Sequence, residues 1–361
     1  MSPRPDPTSR ANRFHAWAIA LVWPFLSCAC TTSAEDSAEQ ALVRLSLDYM
    51  DSILAGVAAS TAAVASEFVT ASRETSTVTP RQRALWRERY LVRDKTVLFQ
   101  TWPGRLDFAP GYQADAAAYF SYQGENFDEQ TWRQLEMFRT LTPVVRAAHR
   151  AYPFSWSYVT TAQGLLLIYP FLTLNEAVNN ESPTEQTYYQ HADFENRRTG
   201  WTPPYLDLVG AGMMVTASTP AYEGDTLLGV VSHDITLTEL SERVLRLLTR
   251  DVGGTAWLAD ESGLLIGVSD PDLAGELIES NRQAGEAVLY YRLPAKLHQA
   301  RPGKARTSQT AWVNEVMEEV LTRTRAARDD GVIHFEHNDQ LVFSGKSKAT
   351  GWHLVWVTPS P

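Results

Sequence analysis

The segment Trp201-Thr202-Pro203-Pro204-Tyr205-Leu206-Asp207 decides the fold of this chain, together with the two runs that follow it. The first run extends from Val215 to Tyr222 and the second from Gly229 to Leu237. Both runs are rich in β-branched residues and are bounded by Pro and Gly, which is typical of strands joined by turns. The sequence therefore predicts three short strands, with Tyr205 and Asp207 on one face because side chains alternate along a strand.

Further strands flank this segment. Two hairpins are indicated where two strand-forming runs are joined by a turn that ends in glycine. They are Trp156 to Thr161 with Leu165 to Tyr169, and Thr255 to Ala259 with Leu264 to Val268. Trp156 and Tyr158 fall on one face of their strand. The other predicted strands are Thr96 to Thr101, Gly331 to Glu336, Gln340 to Ser344 and Gly351 to Val357.

A long amphipathic helix is predicted from Ser37 to Ser72. Apolar side chains recur there in steps of three and four residues, which places them on one face of a helix. By itself, this pattern favours a helix that packs on the core. The other helical patterns are Pro80 to Tyr90, Gln130 to Tyr152, Leu237 to Leu248 and Thr310 to Arg328. The chain is therefore predicted to be α+β, with two tandem helix-then-strand units that meet between residues 245 and 255.

The composition is that of an ordinary globular protein. Hydrophobic residues make up 44% of the 361 residues and charged residues 20%. Because single cores stop growing near about 250–300 residues, two modules are expected. The net charge of −10 disfavours nucleic acid and anionic lipid surfaces as partners.

Residues 1–30 have the features of a signal peptide. Arg4, Arg10 and Arg13 precede an apolar run from Ala16 to Leu26. That run is shorter than the roughly 20 apolar residues that a membrane-spanning helix needs.

Both cysteines of the chain, Cys28 and Cys30, lie at the end of this segment, and each follows a small residue. This arrangement resembles a bacterial lipobox, in which the cysteine carries the lipid anchor. The alternatives are ordinary cleavage nearby or a short retained membrane helix. The fold is expected to need no disulfide.

Signals for enzyme chemistry are weak. His334 and His337 are three residues apart on a predicted strand, where they would point to opposite faces, so a metal site is not expected. His233 precedes Asp234 but the pair belongs to no recognisable nucleophile motif, and no nucleotide-binding loop or Gly-x-Ser-x-Gly motif occurs. We expect a protein that is not an enzyme and has no cofactor.

The order and spacing of these segments resemble the double Cache (dCache) family of extracellular sensor domains, whose modules are PAS-like. The matching segments are Trp156 to Thr161, Gln163-Gly164, Tyr169-Pro170, Trp201 to Asp207, Val215-Thr216, Pro220 to Tyr222, Leu228 to Ile235 and Gly351 to Val355. The resemblance implies a long first helix and two tandem Cache modules, each an antiparallel sheet flanked by helices. After the signal peptide, the implied divisions are residues 31–85 for the helix and connector, 86–248 for the membrane-distal module and 249–361 for the membrane-proximal module.

The resemblance also implies a ligand site in the membrane-distal module. In amino-acid-binding members an Arg-x-Trp-Tyr unit holds the ligand carboxylate, and acidic residues hold its amine. Arg197 or Arg198 stands near the first position here, but Thr199-Gly200 follows, so the carboxylate clamp is altered. Tyr205, Asp207 and Asp234 match pocket-side positions of the family. An amine-bearing ligand is therefore favoured over a free α-amino acid.

The candidate ligand-binding residues are Trp156, Tyr158, Arg197, Trp201, Tyr205, Asp207 and Asp234. The aromatic residues offer faces for stacking or cation–π contacts, and Arg197 offers a guanidinium for a carboxylate. Other interpretations stay open: core positions for Tyr205 and Trp201, a solvated side chain for Arg197, and a helix N-cap for Asp234.

The resemblance implies an extracytoplasmic sensor of small molecules. No membrane-spanning helix or transmitter module follows Trp352 to Val357 in this sequence. We therefore expect a lipoprotein on the periplasmic side of the cell envelope that acts through a partner receptor, or else a secreted form or one held by an N-terminal helix. The alternative function is a structural or assembly lipoprotein that kept the fold without ligand binding. A hydrolase is favoured only by a buried pair of histidine and carboxylate.

Overall fold

The computed structural model describes residues 37–75, 77–99, 116–177, 181–207, 212–300, 303–326 and 331–359. Residues Ser37–Pro361 form one compact unit. The predicted signal peptide, with Cys28 and Cys30, lies outside the described residues. The prediction of an α+β chain with a long first helix and antiparallel sheets is confirmed.

Four of the helices begin at a residue whose side chain caps the first turn. The helices are α1 (Ala38–Glu74), α2 (Pro80–Arg87), α3 (Glu129–Ala151), α4 (Leu174–Ala177), α5 (Thr187–Gln190), α6 (Leu237–Val252), α7 (Pro271–Ala284), α8 (Pro294–Ala300) and α9 (Ala311–Ala326). At the start of α1, the side chains of Ser37 and Gln40 each accept a hydrogen bond from the other's backbone N–H. This capping box satisfies two N–H groups that the first turn leaves without partners.

The first sheet comprises nine strands within the described residues: β1 (Tyr90–Arg93), β2 (Thr96–Phe99), β3 (Ala118–Ser121), β4 (Ser157–Thr161), β5 (Leu166–Tyr169), β6 (Gly200–Trp201), β7 (Tyr205–Leu206), β8 (Met213–Glu223) and β9 (Thr226–Thr236). Their order is β1-β2-β3-β5-β4-β9-β8-β6, and β7 also pairs with β8. The hairpin of β8 and β9, with 11 residues in each strand, is its longest element.

The second sheet contains β10 (Thr255–Ala259), β11 (Leu265–Val268), β14 (Ile333–His337), β15 (Gln340–Lys346) and β16 (His353–Pro359). Its order is β11-β10-β16-β15-β14, and all of its pairings are antiparallel. A separate parallel pair consists of β12 (Leu289–Tyr290) and β13 (Arg306–Thr307). Helices α7 and α9 cover one face of the second sheet, and α1 and α6 the other.

One apolar core joins α1 to both sheets. It contains Met50 and Leu54 from α1, Val215 and Ile235 from the first sheet, Leu240 from α6, and Leu258 and Trp356 from the second sheet. By length and composition α1 could also cross a membrane. Its apolar face is instead committed to this core, which agrees with the core-packing interpretation of the sequence.

Some local elements differ from the sequence predictions. The segment Trp201 to Asp207 forms two strands of two residues each, because Pro203 and Pro204 have no N–H to donate to a neighbouring strand. The elements that were not predicted are strands β1, β3, β12 and β13 and helices α4, α5, α7 and α8. The start of α7 nevertheless carries a sequence signal: Asp270, directly before Pro271, accepts hydrogen bonds from the backbone N–H groups of Asp272 and Leu273.

The shared core predicts a large difference between two leucines of α1. Leu54 is fully buried, whereas Leu45 is 58% exposed on the same helix. We expect Leu54→Ala to lower the free energy of unfolding by about 2–5 kcal/mol, because it leaves a cavity in a core that both sheets share. Leu45→Ala is the matched control and should change it by less than about 0.5 kcal/mol. Urea unfolding followed by circular dichroism measures both values, and equal effects would contradict the shared core.

Candidate ligand-binding site

A cavity of about 670 Å³ opens on the face of the first sheet that does not pack on α1. This volume lies within the range of small-molecule sites, about 300–1,000 Å³. Its aromatic lining consists of Tyr122, Trp156, Tyr158, Tyr188, Tyr205 and Tyr290, and its carboxylates belong to Glu176, Asp207, Asp234, Asp260 and Glu286. Among the described residues that line it there is no Lys, Arg or His. We call it the Asp234 cavity.

Asp234 lies near the end of β9, where two neighbouring strands fix its position. Its backbone N–H donates to the carbonyl of Trp156 at 2.8 Å, and it stands directly opposite Thr216 of β8. Because side chains alternate along β9, Asp234 points into the cavity while His233 and Ile235 point to the other face. Tyr158, which stands opposite Ser232, lies on the same face as Asp234.

Hydroxyl groups hold the carboxylate of Asp234. The Tyr158 hydroxyl donates to Oδ1 at 2.9 Å, and the Thr216 hydroxyl donates to the same oxygen at 2.7 Å. The Tyr205 hydroxyl lies 2.7 Å from Thr216 Oγ1. Since Thr216 gives its single proton to Asp234, it accepts from Tyr205. The result is a directed chain from Tyr205 through Thr216 to Asp234.

Burial controls the charge of this site. It raises the pKa of Asp234 to about 7, the nearby charge of Asp207 acts in the same direction, and the hydrogen bonds from Thr216 and Tyr158 oppose both. Burial also raises the pKa of Tyr158, Tyr188 and Tyr205 well above the usual value, so these hydroxyls stay protonated as donors. A protonated Asp234 is therefore much more common near neutral pH than for an exposed carboxyl group, and a bound cation would favour its charged form.

The opposite face of the same strands carries a buried pair of serine and histidine. Ser157 Oγ lies 2.9 Å from His233 Nδ1, and His233 Nε2 lies 2.8 Å from the carbonyl of Tyr152. Nε2 must donate to that carbonyl, so Nδ1 accepts from Ser157 and the ring is neutral. Burial lowers the pKa of His233 to about 4. The second ring nitrogen of His233 donates to a backbone carbonyl rather than to the carboxylate of a catalytic triad, and Ser157 is only 3% exposed, so the geometry of this pair does not support a hydrolase site.

The structure brings five of the seven candidate residues to one cavity: Trp156, Tyr158, Tyr205, Asp207 and Asp234. The interpretation of Asp234 as a helix N-cap is wrong. The N-cap of α6 is Thr236, and the Asp234 carboxylate bonds to Tyr158 and Thr216.

Arg197 and Trp201 are not part of the described cavity lining. The Arg197 guanidinium lies 4.5 Å above the ring of Tyr222, donates to the carbonyl of Gly224 at 2.9 Å and pairs with Asp225 at 2.8 Å. It thus holds the turn between β8 and β9. Trp201 packs against the apolar core under α1.

Three aromatic residues of the lining were not singled out from the sequence: Tyr122, Tyr188 and Tyr290. Tyr188 lies in α5, a helix of only 4 residues within a polar segment, and its ring meets that of Tyr158 edge-on at 4.9 Å. The adjacent pair Tyr188-Tyr189 in that polar segment is the one sequence signal that could have indicated it. Among the described residues, no group of three or more His, Cys, Asp or Glu side chains could hold a metal ion.

Comparison with known proteins identifies similar sensor domains. Residues 154–242 match the family model of the first PDC sensor domain of methyl-accepting chemotaxis protein-like proteins. This match confirms the predicted resemblance to PAS-like Cache sensor domains. The methyl-accepting chemotaxis protein McpC of Bacillus subtilis (strain 168) is 32% identical over 110 residues, which is 30% of this chain but only 16% of that protein.

Solved structures of chemoreceptor domains are similar over most of the chain. The ligand-binding domain of the Pseudomonas aeruginosa PAO1 amino acid chemoreceptor PctC, in complex with GABA, is 15% identical with a TM-score of 0.45, covering 88% of this chain and 96% of that one. The sensory domain of the Campylobacter jejuni chemoreceptor Tlp3, with isoleucine bound, is 13% identical with a TM-score of 0.38, covering 89% and 95% respectively.

Asp234 should make the protein without ligand less stable as the pH rises. The ordinary pKa of its carboxyl group is 3.8, and burial raises this pKa to about 7 in the folded protein. The folded state therefore holds the proton more tightly than the unfolded state does. The resulting stabilisation is full below pH 3.8 and is lost as the pH rises through 7. Relative to Asp234→Asn, the free energy of unfolding of the wild type should fall by roughly 2–3 kcal/mol between about pH 5 and pH 8. Urea unfolding at several pH values measures this difference.

The control for this experiment is Asp225→Asn on the same hairpin, since the Asp225 side chain is 99% exposed. Its pH dependence should follow that of the wild type. Parallel curves for the wild type and Asp234→Asn would contradict the raised pKa.

Proposed function

We propose that this chain is an extracytoplasmic sensor that binds a small polar ligand with an amino group in the Asp234 cavity. The observation that carries the proposal is a buried carboxylate inside an aromatic wall. An ammonium group brings three N–H donors and a positive charge, and it can pair with Asp234 while lying against the faces of Tyr158, Tyr188 or Tyr205. The similarity of residues 154–242 to chemotaxis sensor domains supports the sensor role.

The lining also favours an amine over a free α-amino acid. An α-carboxylate needs a cationic partner when it is buried. The described lining offers five carboxylates and no Lys or Arg. Arg197, the candidate clamp, is engaged with Gly224, Asp225 and Tyr222. A bound carboxylate would therefore face like charge.

Because Arg197 is engaged outside the described cavity lining, its position also favours the alternative function, which is a structural or assembly lipoprotein that kept the fold without ligand binding. The two functions differ in what they require of Asp234. A receptor uses its charge, whereas a scaffold gains nothing from a buried carboxyl group whose ionised form is costly.

A thermal-shift screen with amines, amino acids, organic acids and purines should give a rise in melting temperature with amines. At a ligand concentration 100 times the Kd, the expected stabilisation is about 2.7 kcal/mol. The shift should disappear in Asp234→Asn, which removes the counter-charge, and should persist in Asp225→Asn. If no compound shifts the melting temperature, the assembly role is favoured; a shift with organic acids alone would contradict an amine site.

We propose further that lipid on Cys28 or Cys30 anchors the protein to the cell envelope and that a partner receptor relays its signal. The lipobox-like sequence around both cysteines supports the anchor. Labelled palmitate should be incorporated into the wild type and lost in the variant with both cysteines replaced by alanine, and retention of label there would contradict the anchor. An unchanged signalling response to the identified ligand after deletion of the protein would contradict the relay.

A further inference from the structure

Residues from the half of the chain that contains the second sheet form one side of the Asp234 cavity. Asp260 and Leu264 come from the turn between β10 and β11, Gly285, Glu286 and Ala287 come from the connection between α7 and β12, and Tyr290 belongs to β12. We call these six residues the second-sheet wall. A ligand in this cavity therefore lies between Asp234 on the first sheet and a surface built by the other half of the chain.

The second-sheet wall is held in place by its own contacts. Leu264 and Tyr290 form an antiparallel bridge, and the N–H of Tyr291 donates to the carbonyl of Gly263 at 3.0 Å. Leu264 and Tyr290 also share a small apolar cluster with Leu297. These contacts join the two connections that form the wall, so the surface exists before a ligand arrives, as ligand sites usually do.

The carboxylates of the cavity differ in the hydrogen bonds that they already accept from the protein. Asp260 Oδ1 accepts from the N–H and hydroxyl of Ser262 and from the N–H of Leu264, so it stabilises the turn. Glu176 accepts from the N–H and hydroxyl of Thr173 at the start of α4. Both groups are committed to the backbone near them, which makes them poor candidates for ligand contacts.

Glu286 is in a different position. Gly285 ends α7 with a φ of 70°, a left-handed conformation that suits glycine and turns the chain toward the cavity. Glu286 is half exposed and pairs with Lys304, whose side chain is 83% exposed. Such a surface pair is weak, because both ions keep most of their water and salt screens them. A ligand cation can compete with Lys304 for Glu286.

We propose that Glu286 forms a second cation subsite, and that the ligand is an extended dication, such as a linear diamine without a carboxylate. One ammonium group pairs with Asp234 and the other with Glu286, while the methylene chain lies along the aromatic wall. Two like charges at the ends of a chain repel each other and keep it extended. The proposal rests on the proposed function, because it uses the same cavity and the same primary contact.

Calorimetric titration with linear diamines of increasing length, and with monoamines of matching carbon number, tests this subsite. The wild type should bind the best diamine about tenfold or more tightly than its matched monoamine, because only the diamine gains the second ion pair. Glu286→Gln should remove that advantage, because it lowers the affinity for the diamine about tenfold or more relative to the affinity for the monoamine. The control is Glu279→Gln on α7, an exposed carboxylate paired with Arg282, which removes the same charge and should leave both affinities unchanged.

The outcomes separate this inference from the proposed function. The second subsite is supported if Asp234→Asn abolishes the binding of both the diamine and the monoamine, and if the diamine binds more tightly than the monoamine only in proteins that keep Glu286. Equal affinities of the wild type for diamine and monoamine, or an equal loss in Glu279→Gln and Glu286→Gln, would overturn the second subsite alone. If neither amine binds the wild type, the amine-sensor function itself is contradicted.

Discussion

The apolar face of α1 is the constraint on which the rest of the structure depends. Both sheets pack one face against it, and Leu54 and Trp356 of the shared core have no exposed surface. Once one face of β8 and β9 is committed to this core, strand alternation sends every second side chain to the other face. A shift of one residue in their register would bury Thr216 and Asp234 in the core and expose Ile235. The core thus fixes the position of the ligand cavity.

This alternation separates two neighbouring titratable groups into opposite environments. His233 points toward the core side and remains neutral, with its pKa lowered to about 4, whereas Asp234 points into the cavity with its pKa raised to about 7. Burial is the main cause in both cases, because it penalises whichever form is charged. The histidine cannot gain a proton near neutral pH, but the carboxyl group can lose one whenever a cation arrives. Perturbation of this kind in a cleft is typical of functional sites.

The sequence predicted the parts of this site that local patterns control. The helix at α1, the hairpins and the strand faces of Tyr158 and Tyr205 all follow from short-range periodicity and turn residues. The second-sheet wall was missed because it depends on the bridge between Leu264 and Tyr290 and on α7, whose contribution becomes visible only after folding. Arg197 was misleading for the same reason. Its neighbours Gly224 and Asp225 are distant in the sequence and come beside it through the β8–β9 hairpin.

The chemistry of the cavity weighs against a scaffold that has lost its ligand. A buried carboxyl group whose pKa is near 7 destabilises the protein at neutral pH, and apolar residues of similar volume often stabilise a fold in such places. Tyr158, Thr216 and Tyr205 are arranged around Asp234, yet two neutral hydroxyl donors leave it short of full ionisation. The missing element of this arrangement is positive charge, which the described lining does not contain. A cationic ligand supplies that charge and the remaining hydrogen-bond donors at once, and this need favours retention of Asp234 for binding.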